Sequence, residues 1–505
     1  MQTPQAADVG HELIALTPLE LHAFTEAEEA HLHAVAEKLH TEIPAFRQEL
    51  QDYADLHVAA MPSSIPQRLL LDDFSPITHL HHILGLQYYT SRAFIRAGQG
   101  DQVLGTFTPI PGYIEYIAEF LGMGTSVYLP AVPPEGALPY AVCESFLQAP
   151  DSFQQLLSKM EASTEELWFH PYMSHQAAWT LGQKLNETLQ RDVKVVGPPP
   201  RLCFEVNNKV WFTHAVEQTL GESSVIPGQA AYSVQEAATR LCELAKSYPA
   251  ITVKLADSAS GMGTGIFESS DVLALSEEKW LAQIEAWAQE KDWVQGTSPP
   301  LLLEPWYKTL QGSPSVQLWL PPVDVGPPLV EGIYDQLFHD NNPHVFLGSI
   351  PSQLPQERQQ ELIETGAKLG RVFQHLGYIG RCSFDTILEG PSLEEATLRY
   401  VECNGRWGGT STPMTLMNRI FGDYRTQPYV AKDFDHKKLE GLSFADFVER
   451  FRDILYNAST EEGWAIVYNV GCLEPSGKLD VITLGQSFDE AQERQKQFAA
   501  LVEER

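Results

Sequence analysis

Basic residues are scarce in this sequence: 34 lysines and arginines stand against 66 aspartates and glutamates, a formal charge of −32 over 505 residues. Such a surface repels nucleic acid and anionic membrane, which excludes both as general partners and requires a local positive cluster for any anionic ligand. Cysteine is sparse too. Cys143, Cys203, Cys242, Cys382, Cys403 and Cys472 show neither close pairing nor metal-ligand spacing, as expected of reduced thiols in a cytosolic protein. No run is long and apolar enough to cross a bilayer, and the opening "MQTPQAADVGHEL" lacks the basic and apolar regions of a secretion signal. The expected location is the cytoplasm. Internal repeats and low-complexity tracts are missing as well, so solenoids and disordered arrays are set aside.

What is present reads as a soluble globular protein, with 43% hydrophobic and 20% charged residues. At roughly 100 to 200 residues per domain the chain has room for two to four units. Residues 1–95 read as a helical region, from the helical spacing of leucine, alanine and histidine in "PLELHAFTEAEEAHLHAVAEKLH". Its histidines (His31, His33, His40, His79, His81, His82) have no nearby cysteine or carboxylate partner in the pattern, so a polar helix face is preferred to a metal site. Residues 96–200 alternate short apolar runs with helix-like stretches, an α/β texture that ends at Pro198, Pro199 and Pro200. Residues 201–430 form a longer mixed unit, and 431–505 a small α+β unit of two strands and a terminal helix.

The stretch "VKLADSASGMGTGIF" places Lys254 on a strand ahead of Gly261, Gly263 and Gly265. Glycines let backbone amides wrap a polyphosphate, and a lysine adds a mobile point charge, so a nucleotide phosphate site is one reading and an ordinary hairpin tip the other. A P-loop puts its lysine after the last glycine and opens a helix; a protein kinase has its glycine loop first; a dinucleotide fold needs strand, glycines and helix in succession. None of these fits. The remaining geometry is a hairpin with Lys254 on its first strand and residues 258–265 as a lid over the phosphates. A lysine in that role is expected to be partly exposed, so that its replacement spares the fold.

A second cluster follows in "FDTIL … YVECNGRWGG". Strand alternation puts Glu402 and Asn404 on one face, and pairing across the intervening turn brings Asp385 opposite Glu402. Two carboxylates and an amide oxygen make a hard oxygen site suited to magnesium, and Arg406 adds a guanidinium for a phosphate or an oxyanion.

With lysine, glycine lid, carboxylate pair, asparagine and arginine in that order, residues 201–425 resemble the ATP-grasp superfamily, which joins carboxylates to amines through an acyl phosphate. The resemblance implies an α/β (α+β) chain: an ATP-grasp domain with its lid at about 232–300, preceded by a helical segment and a Rossmann-like pre-ATP-grasp domain and followed by a small C-terminal unit. It implies ATP and magnesium, with manganese as a substitute, and small-molecule acid and amine substrates; a homodimer is compatible with it. By position, Lys209, Lys254, Ser260, Gly261, Met262, Gly263, Thr264, Glu304, Pro305 and Trp306 meet the nucleotide, and Asp385, Glu402 and Asn404 hold the metal. Arg406, with Arg381 and Lys254, serves the transferred phosphate. Gly405 stands where the family usually has proline, and the acid that binds ribose is not identified. The α/β unit ahead of the core and the short unit after it look like the pheganomycin peptide ligase group, which implies an amino-acid or peptide amine.

Overall fold

The structure is a computed structural model describing residues 18–60, 66–77, 85–160, 166–258, 261, 263–339 and 342–505. Its first sheet is five-stranded and parallel, in the order Val127–Pro130, Gln102–Gly105, Gln67–Leu71, Leu167–Pro171, Val193–Val195. Parallel strands are covered on both faces, and Leu69, Leu70, Leu71 and all of Leu167–Pro171 are buried accordingly. Trp179 and Phe146 pack against this sheet from helices Gln176–Leu189 and Val142–Gln148. The central strand Gln67–Leu71 corrects the expectation of helix through residue 95. Among the described residues of that segment the sizeable helices are Glu26–Glu42 and Ala45–Asp52, and a short unbroken apolar run such as "RLLL" carries no period that separates strand from helix.

A second sheet has four antiparallel strands ordered Gln229–Ala231, Leu301–Pro305, Ala250–Leu255, Thr264–Glu268. Helices Val234–Ala245 and Glu277–Glu290, capped by Ser233 and Ser276, cover one face and share a separate core with it, including Leu241, Ile251, Trp280 and Leu303. A core of its own lets this unit move as a body.

The third sheet is nine-stranded and antiparallel, ordered Leu310–Gly312, Gly380–Glu389, Pro314–Leu320, Leu329–His339, Asn342–Pro351, Tyr429–Asp435, Lys478–Leu484, Ala465–Tyr468, with Thr397–Asn404 also paired to Gly380–Glu389. The C-terminal segment expected as a small separate unit is thus continuous with the sheet that carries Asp385: Ala431 and Lys432 pair with Ser349 and Gly348.

The N-terminal helix Glu26–Glu42 begins with a Thr25/Glu28 capping box and packs Leu32, Val35 and Leu39 with residues of helix Gln356–His375. Glu29 pairs there with Arg371 at 2.7 Å and His375 at 3.0 Å. The nearby histidines serve packing: His31 and His40 each set Nε2 3.4 Å from a main-chain oxygen, and His33 stands edge-on to His375. His79, His81 and His82 lie outside the described residues. Among the described residues no helix is long and apolar enough to cross a membrane. The parallel sheet also gathers Asp73, Cys143 and His175, with side-chain atoms within 4.8 Å of one another and the Cys143 amide donating to Asp73 at 2.8 Å. Linear spacing carries no sign of that cluster, because its members come from three separate strand-to-helix connections.

Candidate active site

Strands Ala250–Leu255 and Thr264–Glu268 form the hairpin, with Lys254 opposite Thr264. The Lys254 ammonium donates to Glu304 Oε2 at 2.6 Å. At 6% and 2% exposure both residues are buried, which corrects the expectation of a partly exposed lysine. At the tip, Gly261 has φ +72°, and a Cβ at Gly263 would run into the Ser258 side chain. Backbone geometry therefore calls for glycine at both. Ser260 and Met262 lie outside the described residues.

Lys209 opens helix Lys209–Leu220 behind the N-cap Asn208, whose side chain accepts from the Val210 and Trp211 amides. Its Nζ donates to the Ser258 carbonyl at 2.5 Å and pairs with Glu402 at 2.9 Å, tying the hairpin tip to the large sheet.

On the large sheet the register sets Asp385 directly opposite Glu402. Ser315 Oγ donates to Asp385 Oδ1 at 2.6 Å and is itself held by Gln317 at 2.9 Å. Asn404 Nδ2 donates to Asp385 Oδ2 at 2.9 Å, while its Oδ1 accepts from Arg406 at 2.7 Å. Arg406 also donates to Asn207 Oδ1 at 3.2 Å. Burial, and then the facing Glu402 charge, push Asp385 up to about 6. Burial acts upward on Glu402 too, but the neighbouring charges of Lys209, Arg406 and Lys254 hold it below the usual carboxylate value. Two partly buried carboxylates side by side, with an amide between them and an arginine, suit a hard divalent cation such as magnesium, which would relieve their mutual repulsion.

Gly405 has a physical reason to depart from proline. Its N–H donates to Asn207 Oδ1 at 3.0 Å, and a Cβ there would strike Val206. Proline has no such hydrogen to give. Pro305 and Trp306 line the cavity, but the Trp306 amide is taken by the Ala250 carbonyl at 2.9 Å and Glu304 is turned toward Lys254. Trp306 and Tyr307, both partly exposed, line the cavity beside them.

Arg381 is placed elsewhere. It forms an ion pair with Glu331 inside the sheet, with both side chains almost wholly buried. Its guanidinium lies 4.5 Å from the Trp407 ring, which on the Arg96 side has a second guanidinium at 4.8 Å. The expected role of Arg381 at a phosphate is therefore replaced by a structural one. Trp407 in turn donates its amide to the Tyr172 carbonyl at 3.0 Å, and Met173 bridges Arg406, so the parallel-sheet unit is bonded to the segment bearing Arg406.

Lys209, Lys254, Gly261, Thr264, Asp385, Glu402, Asn404 and Arg406 all line one cavity of about 1380 Å³ between the small and large sheets. That exceeds the roughly 300–1,000 Å³ of a typical single-ligand pocket, leaving room beside a nucleotide for a second molecule. Sequence reasoning missed Asn207, Ser315, Gln317 and Gln336. Asn207 was within reach of it, since "NNK" at a helix start marks capping and turn residues; the other three become visible only through strand register.

A small antiparallel sheet facing a larger one across a cavity, preceded by a parallel sheet, is the ATP-grasp fold. Among solved structures the chain is similar to N5-carboxyaminoimidazole ribonucleotide synthetase in its ADP complex, with 14% identity over 86% of this chain and 96% of that one and a TM-score of 0.50. It is also similar to the biotin carboxylase domain dimer of the Hydrogenobacter thermophilus 2-oxoglutarate carboxylase, solved with MgADP, ADP and bicarbonate: 13% identity, 86% and 89% coverage, TM-score 0.51. A Campylobacter jejuni biotin carboxylase complex gives 12% identity, 85% and 90% coverage, and a TM-score of 0.50. No family model and no curated protein matches the sequence. At these identities the likeness carries the fold.

Proposed function

We propose that the protein is an ATP-dependent carboxylate–amine ligase, forming an amide through an acyl phosphate and releasing ADP and phosphate. The observation that carries this reading is the convergence of two lysines, two facing carboxylates, an asparagine and an arginine on one cavity between two sheets. The nucleotide lies between the Leu301–Pro305 edge and the hairpin tip. Its phosphates draw Lys254 from Glu304 and Lys209 from Glu402, so these two ion pairs are exchanged for substrate contacts. Asp385, Glu402 and Asn404 would hold magnesium, or manganese in its place, which supplies charge neutralisation for phosphoryl transfer. Arg406, oriented by Asn207 and Asn404, faces the developing oxyanion. Closure of the small-sheet unit with its hairpin tip keeps water from the acyl phosphate. Amino acids or small peptides are the proposed substrates, the pheganomycin peptide ligase group the proposed relatives, and the cytoplasm the proposed compartment.

The test is a paired screen of acids and amines for phosphate release, with hydroxylamine replacing the amine. A hydroxamate formed with ADP supports the reading, whereas AMP overturns it. Turnover with bicarbonate alone as the acid would move the protein to the carboxylases.

A pH effect on metal binding is also expected. Burial and the facing Glu402 push Asp385 up to about 6 from 3.8, so in the folded protein it holds its proton up to about pH 6. The stability it contributes is therefore greatest below 3.8 and declines as pH rises through 3.8 to about 6, where magnesium would offset the loss. Magnesium affinity should fall about tenfold per pH unit below that point, with proton release on binding. Calorimetry in two buffers of different ionisation enthalpy reads the released proton, and Asp385→Asn should abolish it.

A further inference from the structure

The cavity continues past Arg406 to an end that the nucleotide reading leaves unused, walled by the parallel-sheet unit on one side and the C-terminal strands on the other. Arg92 lies there, 9% exposed, with its guanidinium carbon 4.8 Å from the Phe74 ring and 5.1 Å from those of Tyr89 and Tyr172. Its ion pair with Asp72 is long at 3.9 Å, and Nε is buried with no hydrogen-bond partner among the described residues. Asp72 is committed to Arg96, which donates to it and to the Leu71 carbonyl. Two buried guanidiniums thus share one carboxylate, and Arg92 is the one left to find an anion.

Across this end, Asp433 and Asp480 stand directly opposite each other on paired strands. Asp433 is matched by Lys478 at 2.6 Å. Asp480 accepts from Asn469 at 3.0 Å through Oδ2, but its Oδ1 and the Asn469 Oδ1 are buried with no donor among the described residues. The Arg92 guanidinium, weakly matched by its long pair with Asp72, therefore faces across the cavity end two buried acceptor atoms with no donor among the described residues. Burial and the Asp433 charge push Asp480 well up, against the pull of the nearby Lys478 ammonium, so a second cation placed beside it would favour its ionised form.

We infer that this end of the cavity binds an α-amino acid by both of its charged groups, the carboxylate at Arg92 and the ammonium at Asp480 and Asn469. That the bound amino acid is a ligation substrate rests on the ligase reading; that it binds does not.

The experiment is calorimetric titration of the full-length protein, with MgADP present, with each of the twenty proteinogenic L-amino acids. Every ligand that binds is then compared with its C-terminal amide and its N-acetyl derivative. At least one free amino acid should bind, and each derivative should bind about 30-fold or more weakly. Arg92→Met should erase the preference for free acid over amide, and Asp480→Asn the preference for free amine over N-acetyl, with MgADP affinity unchanged in both. A purely structural role for these residues would not separate the two preferences in this way. The inference is overturned if none of the twenty binds, or if both preferences survive the substitutions in folded, MgADP-binding protein. Amino-acid binding without ADP release on any acid would sink the ligase reading and leave the site standing; acid-dependent ADP release indifferent to Arg92→Met would do the reverse.

Discussion

Glu402→Gln is expected to lower acid-dependent ADP release by about 10²- to 10³-fold, the scale of losing one preorganised electrostatic contact at a reacting centre. Glu402 faces Asp385 in register and Lys209 at 2.9 Å, so it links the strands proposed to hold the metal to the lysine proposed to hold a phosphate. The amide is isosteric and cannot offset a cation's charge. The fold should tolerate it, because Lys209 keeps the Ser258 carbonyl and Asp385 loses a like-charged neighbour. Two readouts decide the case. Turnover should collapse, and the rise in melting temperature produced by magnesium with ADP should shrink relative to that produced by ADP alone. Full turnover, or an unchanged magnesium increment, would put the metal somewhere else.

Lys254→Met is expected to remove turnover and, in addition, to destabilise the small sheet by about 3 kcal/mol or more, the usual cost of stranding one member of a buried ion pair. Glu304 is the stranded group, 2% exposed and held by Lys254 at 2.6 Å. Adding Glu304→Gln should restore much of that stability while turnover stays lost. The signature is a non-additive cycle: the double variant more stable than Lys254→Met alone, and both inactive. Hydrogen exchange of strands Ala250–Leu255 and Leu301–Pro305 reads the local effect, which a whole-chain melting curve would blur. Additive losses would show that the pair contributes nothing as a pair.

Much of the site was legible in the sequence because its parts are local. Lys254 and its glycines sit within a single hairpin, and Asp385 and Glu402 are joined by one turn, so alternation and turn chemistry carried them. What escaped was fixed by distant partners. The run around Gln67–Leu71 is apolar without a period, and its strand character comes from the parallel neighbours on both sides. Tyr429–Asp435 and Lys478–Leu484 join the large sheet through pairings that cross long stretches of chain. Arg381 shows the limit most clearly. An arginine four residues before a metal-binding aspartate reads as catalytic on paper, yet its strand turns it to Glu331 inside the sheet. Arg92 gave no local signal at all, since its aromatic cage is assembled from Phe74, Tyr89 and Tyr172.

The bond between Trp407 and Tyr172, with the bridge from Met173 to Arg406 and the Trp407 ring packed between Arg96 and Arg381, divides the machine into a stator and a rotor. Arg406, the facing carboxylates and the Arg92 cage all ride on the stator, whereas Lys254 rides on the rotor, the small sheet with its own core. Opening and closing for nucleotide exchange can then proceed without changing the alignment of Arg406 with a molecule already seated at Arg92. Order of binding becomes a mechanical matter: a ligand at the far end of the cavity can be in place before the rotor closes, and one trapped behind it must wait for the next opening to leave.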